Sequence, residues 1–238
     1  MRPLILFAAL PLAACGFAGN QGEHARSSGQ HATRDFAASD FTQVDLRGSD
    51  DVSVVIGQQF KVHAEGDSKQ IERLRIEVVD GTLRIGREGN SGWSWGSDDD
   101  VHIQVTMPRI TGASVSGSGD MDVERGDGDF AGDISGSGNL NIRGLQAGRA
   151  SLSISGSGDI EAAGNAESLT LSISGSGDID AEGLTASQAS VAVNGSGDVT
   201  ATVNGNASVS VSGSGDVELG GGATCTVNKS GSGDVSCG

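Results

Sequence analysis

The chain has 238 residues, with 31 acidic against 15 basic side chains and a formal net charge of −16. That balance, with no basic stripe anywhere, excludes nucleic acid and bare anionic lipid as partners. Glycine supplies 39 residues and aromatics only 3%, but the glycines recur on a strict period, which argues against a flexible or disordered chain.

Residues 1–14 have the form of a short export signal. Arg2 gives the positive start, Leu4–Leu12 the apolar run and Ala13-Ala14 the small residues of a cleavage site. The run is too short to cross a bilayer as a helix, which needs about 20 residues. Leu12-Ala13-Ala14-Cys15 resembles a bacterial lipobox, and the resemblance implies that Cys15 is the lipidated first residue of the mature chain, with ordinary cleavage after Ala14 as the alternative. Gly16 after the cysteine resembles lipoproteins sent to the outer membrane.

Residues 15–35 are polar, lack an apolar period and read as a flexible tether, whose twenty or so residues span roughly 25 Å as a coil. His24 and His31 fall in it as solvated side chains rather than metal ligands. Residues 36–110 form an N-terminal β region. Alternation marks strands over 41–46, 51–56, 60–64, 74–79, 82–85 and 101–107, Asp80-Gly81 signals a hairpin, and Ser68 could cap a helical turn over 68–73. No Gly-Ser-Gly punctuation is apparent here, and the region is expected to cap or begin a solenoid formed by the rest of the chain.

Residues 111–238 repeat one sentence. Gly-Ser-Gly-Asp begins at Gly117, Gly156, Gly175, Gly195, Gly213 and Gly231, with an Asn variant at Gly136–Asn139, in steps of 19, 20, 19, 20, 18 and 18 residues. A period near twenty predicts an all-β, right-handed parallel β-solenoid with one coil per repeat. Two before the first glycine come Val115, Ile134, Ile154, Ile173, Val193, Val211 and then Lys229; four after it come Met121, Leu140, Ile160, Ile179, Val199, Val217 and Val235. Alternation puts these inside with both glycines, and Ser and Asp outside. Seven coils about 4.8 Å apart make a rod on the order of 30 Å long. Glycine is read as architecture, permitting positive φ or a close approach of the opposite wall.

The strands, then Asp80-Gly81-Thr82-Leu83-Arg84-Ile85, then Val101–Pro108, then serial Ser-Gly-Ser-Gly-Asp, resemble the bacterial family of auto-transporter adhesins with the head GIN domain, over about 36–238. The resemblance implies a cell-envelope β-solenoid without an assigned reaction, and it supplies no catalytic residue.

The remaining motifs are weak. Gly92-Trp93-Ser94-Trp95-Gly96 matches a nucleophile elbow, but no helix follows and His102 is the only histidine beyond it, so the serine lacks a positioned base. Arg125-Gly126-Asp127 spells an integrin-binding tripeptide that chance readily supplies in this composition. The Asp ladder is either bridged by cations or tied to turn amides; the uncharged Asn139 in one slot favours the amides. Phosphate-cradling, zinc and EF-hand patterns are absent, and no cofactor or catalytic group is expected.

The sequence reading is therefore an exported, lipid-anchored outer-membrane protein, facing the periplasm or the cell surface, with a structural or adhesin-like binding role and no enzyme activity, and with a glycan or protein at the cell surface as its candidate ligand. The alternative is a polysaccharide-active enzyme on a β-helix scaffold. Trp93 and Trp95, two apart and flanked by glycines, are the candidate ligand contact, or else a lid over an open solenoid edge. Cys225 and Cys237 lie six before and six after Gly231, in inward slots of the terminal coil, and are expected to form a disulfide; two buried thiols are the alternative.

Overall fold

The computed structural model describes residues 28–88 and 101–238. The chain is a parallel β-solenoid whose coils present two long faces. His31–Phe36 (β1), Gln43–Gly48 (β2), Asp51–Ile56 (β3), Lys61–Asp67 (β4), a short helix Ser68–Glu72 (α1), Leu74–Val79 (β5), Thr82–Arg87 (β6) and His102–Met107 (β7) make the N-terminal part. Gly112–Gly117 (β8), Met121–Val123 (β9), Gly126–Asp127 (β10), Phe130–Gly136 (β11), Leu140–Gly156 (β12), Ile160–Gly175 (β13), Ile179–Gly195 (β14), Val199–Val203 (β15), Asn206–Gly213 (β16), Val217–Gly220 (β17), Thr224–Gly231 (β18) and Val235–Cys237 (β19) make the rest.

The first face stacks the strands that end on a repeat glycine. Gly48, Gly117, Gly136, Gly156, Gly175, Gly195, Gly213 and Gly231 pair in that order. The second face aligns Val52, Met121, Leu140, Ile160, Ile179, Val199, Val217 and Val235. Inward side chains of both faces meet in one continuous core, where Val115, Leu152, Ile154, Leu171, Ile173 and Val193 are buried; each such side chain stabilises by about 1.5–3 kcal/mol. The differing repeat lengths are absorbed at one edge, in register shifts between Ile142 and Leu145, Glu161 and Gly164, and Ala181 and Thr185. The faces therefore stay in register.

The glycines have a more specific cause than the sequence revealed. The first glycine of each repeat adopts φ between +135° and +144° in the repeats from Gly117 onward. A Cβ there would lie 1.9–2.3 Å from the carbonyl oxygen of the equivalent glycine one coil earlier. The close approach is thus to the neighbouring coil and not to the opposite wall. That carbonyl accepts the following serine's N–H of the next coil, as in Ser157 N to Gly136 O at 2.8 Å and Ser176 N to Gly156 O at 2.9 Å.

The N-terminal part both begins and caps the stack. β2 and β3 form a first coil, in which Gly48-Ser49-Asp50-Asp51 takes the register of Gly117-Ser118-Gly119-Asp120. β6 and β7 extend the two faces by one parallel strand each, and β5, β4 and β1 close them with antiparallel pairings. β1 begins inside the stretch 15–35 read as tether: Ser28 and Gly29 donate backbone N–H groups to Asp67, and the strand pairs along β4 from His31. The helical turn is present, but Asp67 caps it, accepting from Lys69 N at 3.0 Å, in place of Ser68.

Asp50 occupies the slot of the second repeat glycine and is fully buried. Among the described residues no repeat glycine stacks on its far side, where β6 and β7 flank the coil. Arg87 binds it through both Nε, at 3.0 Å to Oδ2, and Nη2, while Nη1 donates to the buried Gln70 Oε1 at 2.7 Å. Val101 N adds a bond of 3.2 Å to Oδ1. The network thus joins a buried carboxylate, a guanidinium, an amide and a backbone N–H at the end of the core.

The other end is open. The terminal coil has a neighbour on one side only, and its inward Val227 is 46% exposed. Lys229 takes a slot filled elsewhere by Val or Ile and sends Nζ to within 3.5 Å of Asp234. Cys225 and Cys237 are joined as a disulfide with Cα atoms 6.3 Å apart, tying the last strand of one face to the last strand of the other. Opening that bridge with Cys225→Ser and Cys237→Ser should cost about 3 kcal/mol in the chain-entropy view for a loop of this size. Amide exchange should register the loss within 224–238 and leave earlier coils protected. Two free thiols in this coil, titrated in unfolded, unreduced protein, would refute the bridge.

Candidate binding surface

A solenoid repeats its outward side chains as faithfully as its inward ones, so its surfaces are rows. Four sets of rows stand out. The first is the Asp row at the corner between the two faces. Its carboxylates do not bind their own turn, as an Asx-turn would. Each Oδ1 accepts the backbone N–H of the equivalent residue one coil on: Asp159 from Asp178 at 2.9 Å, Asp178 from Asp198 at 2.8 Å, Asp198 from Asp216 and Asp216 from Asp234 at 2.7 Å. Asn139 does the same with its amide oxygen toward Asp159 N at 3.2 Å, which is why an uncharged side chain fits the slot. These bonds are exposed to water, so each contributes modestly. Repulsion between unit charges about 4.8 Å apart in water is roughly 0.9 kcal/mol. Each carboxylate of the ladder from Asp159 to Asp216 thus has a backbone N–H partner in the next coil. Among the described residues no cluster of His, Cys, Asp and Glu is arranged to hold a metal ion.

The second row stands two residues after the Asp row, and the two flank an acidic groove of about 480 Å³ lined by Asp120, Asp122, Asp159, Glu161, Asp178 and Asp180. Its floor is the backbone around Met121, Leu140 and Ile160. The third set covers the outside of the first face with hydroxyls, Ser116, Ser135, Ser155 and Ser174 among them.

The fourth set lies where the chain bends into the first face. Ser168, Gln188, Asn206 and Thr224 stand seven residues before their repeat glycine, and Thr170, Ser190, Ser208 and Thr226 five before. Between the rows the inward residue is often alanine, and the bend leaves a groove of about 600 Å³ floored by Ala189 and Ala207. Ser168 is shared with a neighbouring hollow of about 430 Å³ that reaches Asp129 and Arg149. There Arg149 clamps Asp129 through Nη2 at 2.7 Å and Nε at 3.2 Å. This guanidinium holds the Asp129 carboxyl below its ordinary value. Because the folded value is the lower one, the pair contributes at neutral pH and is lost as pH falls through it; both groups are exposed, so the contribution is small.

Of the residues singled out from sequence, Cys15, Trp93 and Trp95 lie outside the described residues. The integrin-type tripeptide is tied up internally: Arg125 Nε donates to Asp127 Oδ2 at 3.0 Å, Gly126 is buried, and Gly126–Asp127 pairs with Leu145–Gln146. Asp133, near them in sequence, is hydrogen-bonded by Ser153. His102 lies 3.1 Å from Ser53 Oγ, on an exposed sheet surface. The neutral groove was missed. Its signal was available, because Ser, Gln, Asn and Thr recur at one fixed offset from the repeat glycine.

Solved structures share this architecture. A putative adhesin from Bacteroides fragilis NCTC 9343 superposes with a TM-score of 0.80 at 23% identity, over 89% of this chain and 98% of that one. A putative lipid binding protein from Parabacteroides distasonis ATCC 8503 gives 0.70 at 20% identity over the same shares, and a putative adhesin from the same organism gives 0.66 at 24%, again over 89% and 98%. At such identities the likeness is one of fold. No curated protein matches the chain. Residues 40–223 match the family described as "Putative auto-transporter adhesin, head GIN domain", and with this solenoid and its serial Gly-Ser-Gly-Asp coils the chain belongs to that family.

Proposed function

We propose that the chain is an exported envelope protein, anchored through lipid on Cys15 at the outer membrane, that holds a repetitive polymer, glycan or protein, along the side of its solenoid without turning it over. One observation carries this reading: each coil presents its outward side chains, mostly small and polar, at the same register as its neighbours, so the surface offers many similar weak contacts in rows. Such a surface suits a partner that repeats. The adhesin names of the family and of its structural relatives point the same way.

The rival reading, a polysaccharide-active enzyme, draws on the acidic groove. Glycoside hydrolysis needs one carboxyl that holds a proton and a partner that does not, which environments achieve by setting the two apart. Here the groove is lined by near-identical, water-exposed positions, and the Asp row is committed to backbone N–H groups. Those features favour binding.

Retention of the purified protein on envelope and polysaccharide fractions, with no new reducing ends after prolonged incubation, is the expected result; release of reducing ends would establish the enzyme instead. Mass spectrometry of the mature N-terminus should find Cys15 as the first residue carrying acyl chains, and an unmodified Cys15 would remove the anchor. Trp93 and Trp95 are proposed as an additional contact. Replacing both with Ala should weaken retention several-fold at unchanged melting temperature, as expected for aromatic anchors; lost stability with unchanged retention would make them a lid.

A further inference from the structure

We infer that the neutral groove floored by Ala189 and Ala207 seats a linear, uncharged polysaccharide lying parallel to the solenoid axis. This rests on the polymer-binding reading and names both the polymer's class and its seat.

Three observations lead there. First, the groove's polar groups are unspent. Among the described residues, none of Ser168, Gln188, Ser190, Asn206, Ser208 and Thr226 has a side-chain hydrogen bond to protein. The Asp row is already engaged with backbone amides. Second, the lining is uncharged on a chain of net charge −16. A polyanion is repelled by that field, and a polycation finds its counter-charge in the acidic groove on another edge. Hydroxyl and carboxamide side chains each donate and accept, which is the double capacity of a sugar hydroxyl. An extended peptide would want free backbone groups, and the strands forming this groove pair on both sides through most of its length. Third, the polar groups recur at the coil step of about 4.8 Å, close to the rise of one sugar in an extended chain. The side chains of Ala189 and Ala207 turn into the core, so the floor between the rows is backbone, on which a ring can lie. The Arg149–Asp129 pair lies at the far end of the adjoining hollow, so the uncharged stretch runs from there toward the terminal coil.

Contacts that are individually weak and repeat in step make affinity climb with ligand length. The test is affinity electrophoresis of the purified full chain through gels containing hydroxyethyl cellulose, galactomannan or mixed-linkage β-glucan, with dextran sulfate and chitosan as charged comparisons. At least one neutral polymer should retard the protein. A hexasaccharide of that polymer should bind at least about tenfold more tightly than its disaccharide, and Gln188→Ala with Asn206→Ala should lower association about thirtyfold, as loss of two net hydrogen bonds predicts. Ser190→Asp with Ser208→Asp should abolish it. Glu161→Gln with Asp180→Asn, in the acidic groove, should change nothing. These side chains are surface-facing, and unchanged melting temperatures certify the fold.

Retardation by neutral polymers that survives the Gln188 and Asn206 changes overturns the seat. Retention only on a charged polymer, lost in the Glu161 and Asp180 variant, overturns this inference and leaves the polymer-binding reading standing. No retention on any polymer or envelope fraction overturns both.

Discussion

Gly175→Ala should destabilise the protein by about 4 kcal/mol, the sum of a side chain forced into a glycine-only backbone region and a clash with a neighbouring coil. Its φ is +144°, and an added Cβ would sit 2.1 Å from Gly156 O. Two companions separate the causes. Gly48, at the start of the stack, has φ of +138° but nothing among the described residues within 4 Å of its Cβ position, so Gly48→Ala should show the backbone cost alone, about 1–3 kcal/mol. Gly177 meets Gly158 O at 2.0 Å without a left-handed φ, so Gly177→Ala should show the clash alone. Gly220 has neither feature and its change to Ala should fall within about 0.5 kcal/mol of neutral. Urea denaturation of the four variants checks the series. A cost at Gly48 equal to that at Gly175 would mean that coil contact is not what demands glycine.

Arg87→Met should cost about 3–5 kcal/mol, because it strands a fully buried carboxylate. The second change that should relieve it is specified by the repeat itself. Asp50 occupies a position that is glycine in the later coils, so Asp50→Gly placed on Arg87→Met should recover most of the loss, since removing both members of a buried pair is often near neutral. Denaturation midpoints of the two singles and the double give the coupling directly. Additive costs would mean that Arg87 contributes through packing alone, and Gln70, which also bonds Arg87, would then be the next position to vary.

The solenoid was legible because its periods are redundant: inward Val, Leu and Ile, paired glycines and Asp all announce the same coil, and any one of them sets the register. The first coil was less visible. Gly48-Ser49-Asp50-Asp51 carries the Asp50 side chain where the later coils have glycine, so the residue that distinguishes the first coil also disguises it. The β1 strand hid for another reason. Its sequence His31-Ala32-Thr33-Arg34-Asp35-Phe36 has little apolar alternation, because this edge strand stays largely exposed and is held by pairing with β4. Asp could be read as a partner of amides, but not of which amides, since bonds between coils depend on which positions stack. The neutral groove escaped because no single residue in it is unusual; it exists only as a column.

The unequal ends of the rod also give its assembly a direction. A parallel coil forms few contacts of its own and gains its ladder from the coil beside it, so the costly event is the first coil and each later one is templated. Here the antiparallel strands and the Asp50–Arg87 network gather at the N-terminal end, the part of the solenoid that a ribosome delivers first. Growth can then keep pace with delivery, one coil at a time, with the exposed edge always on the newest coil. The bridge between Cys225 and Cys237 links strands of the two faces, so it forms only after the coil farthest from the N-terminal end has closed.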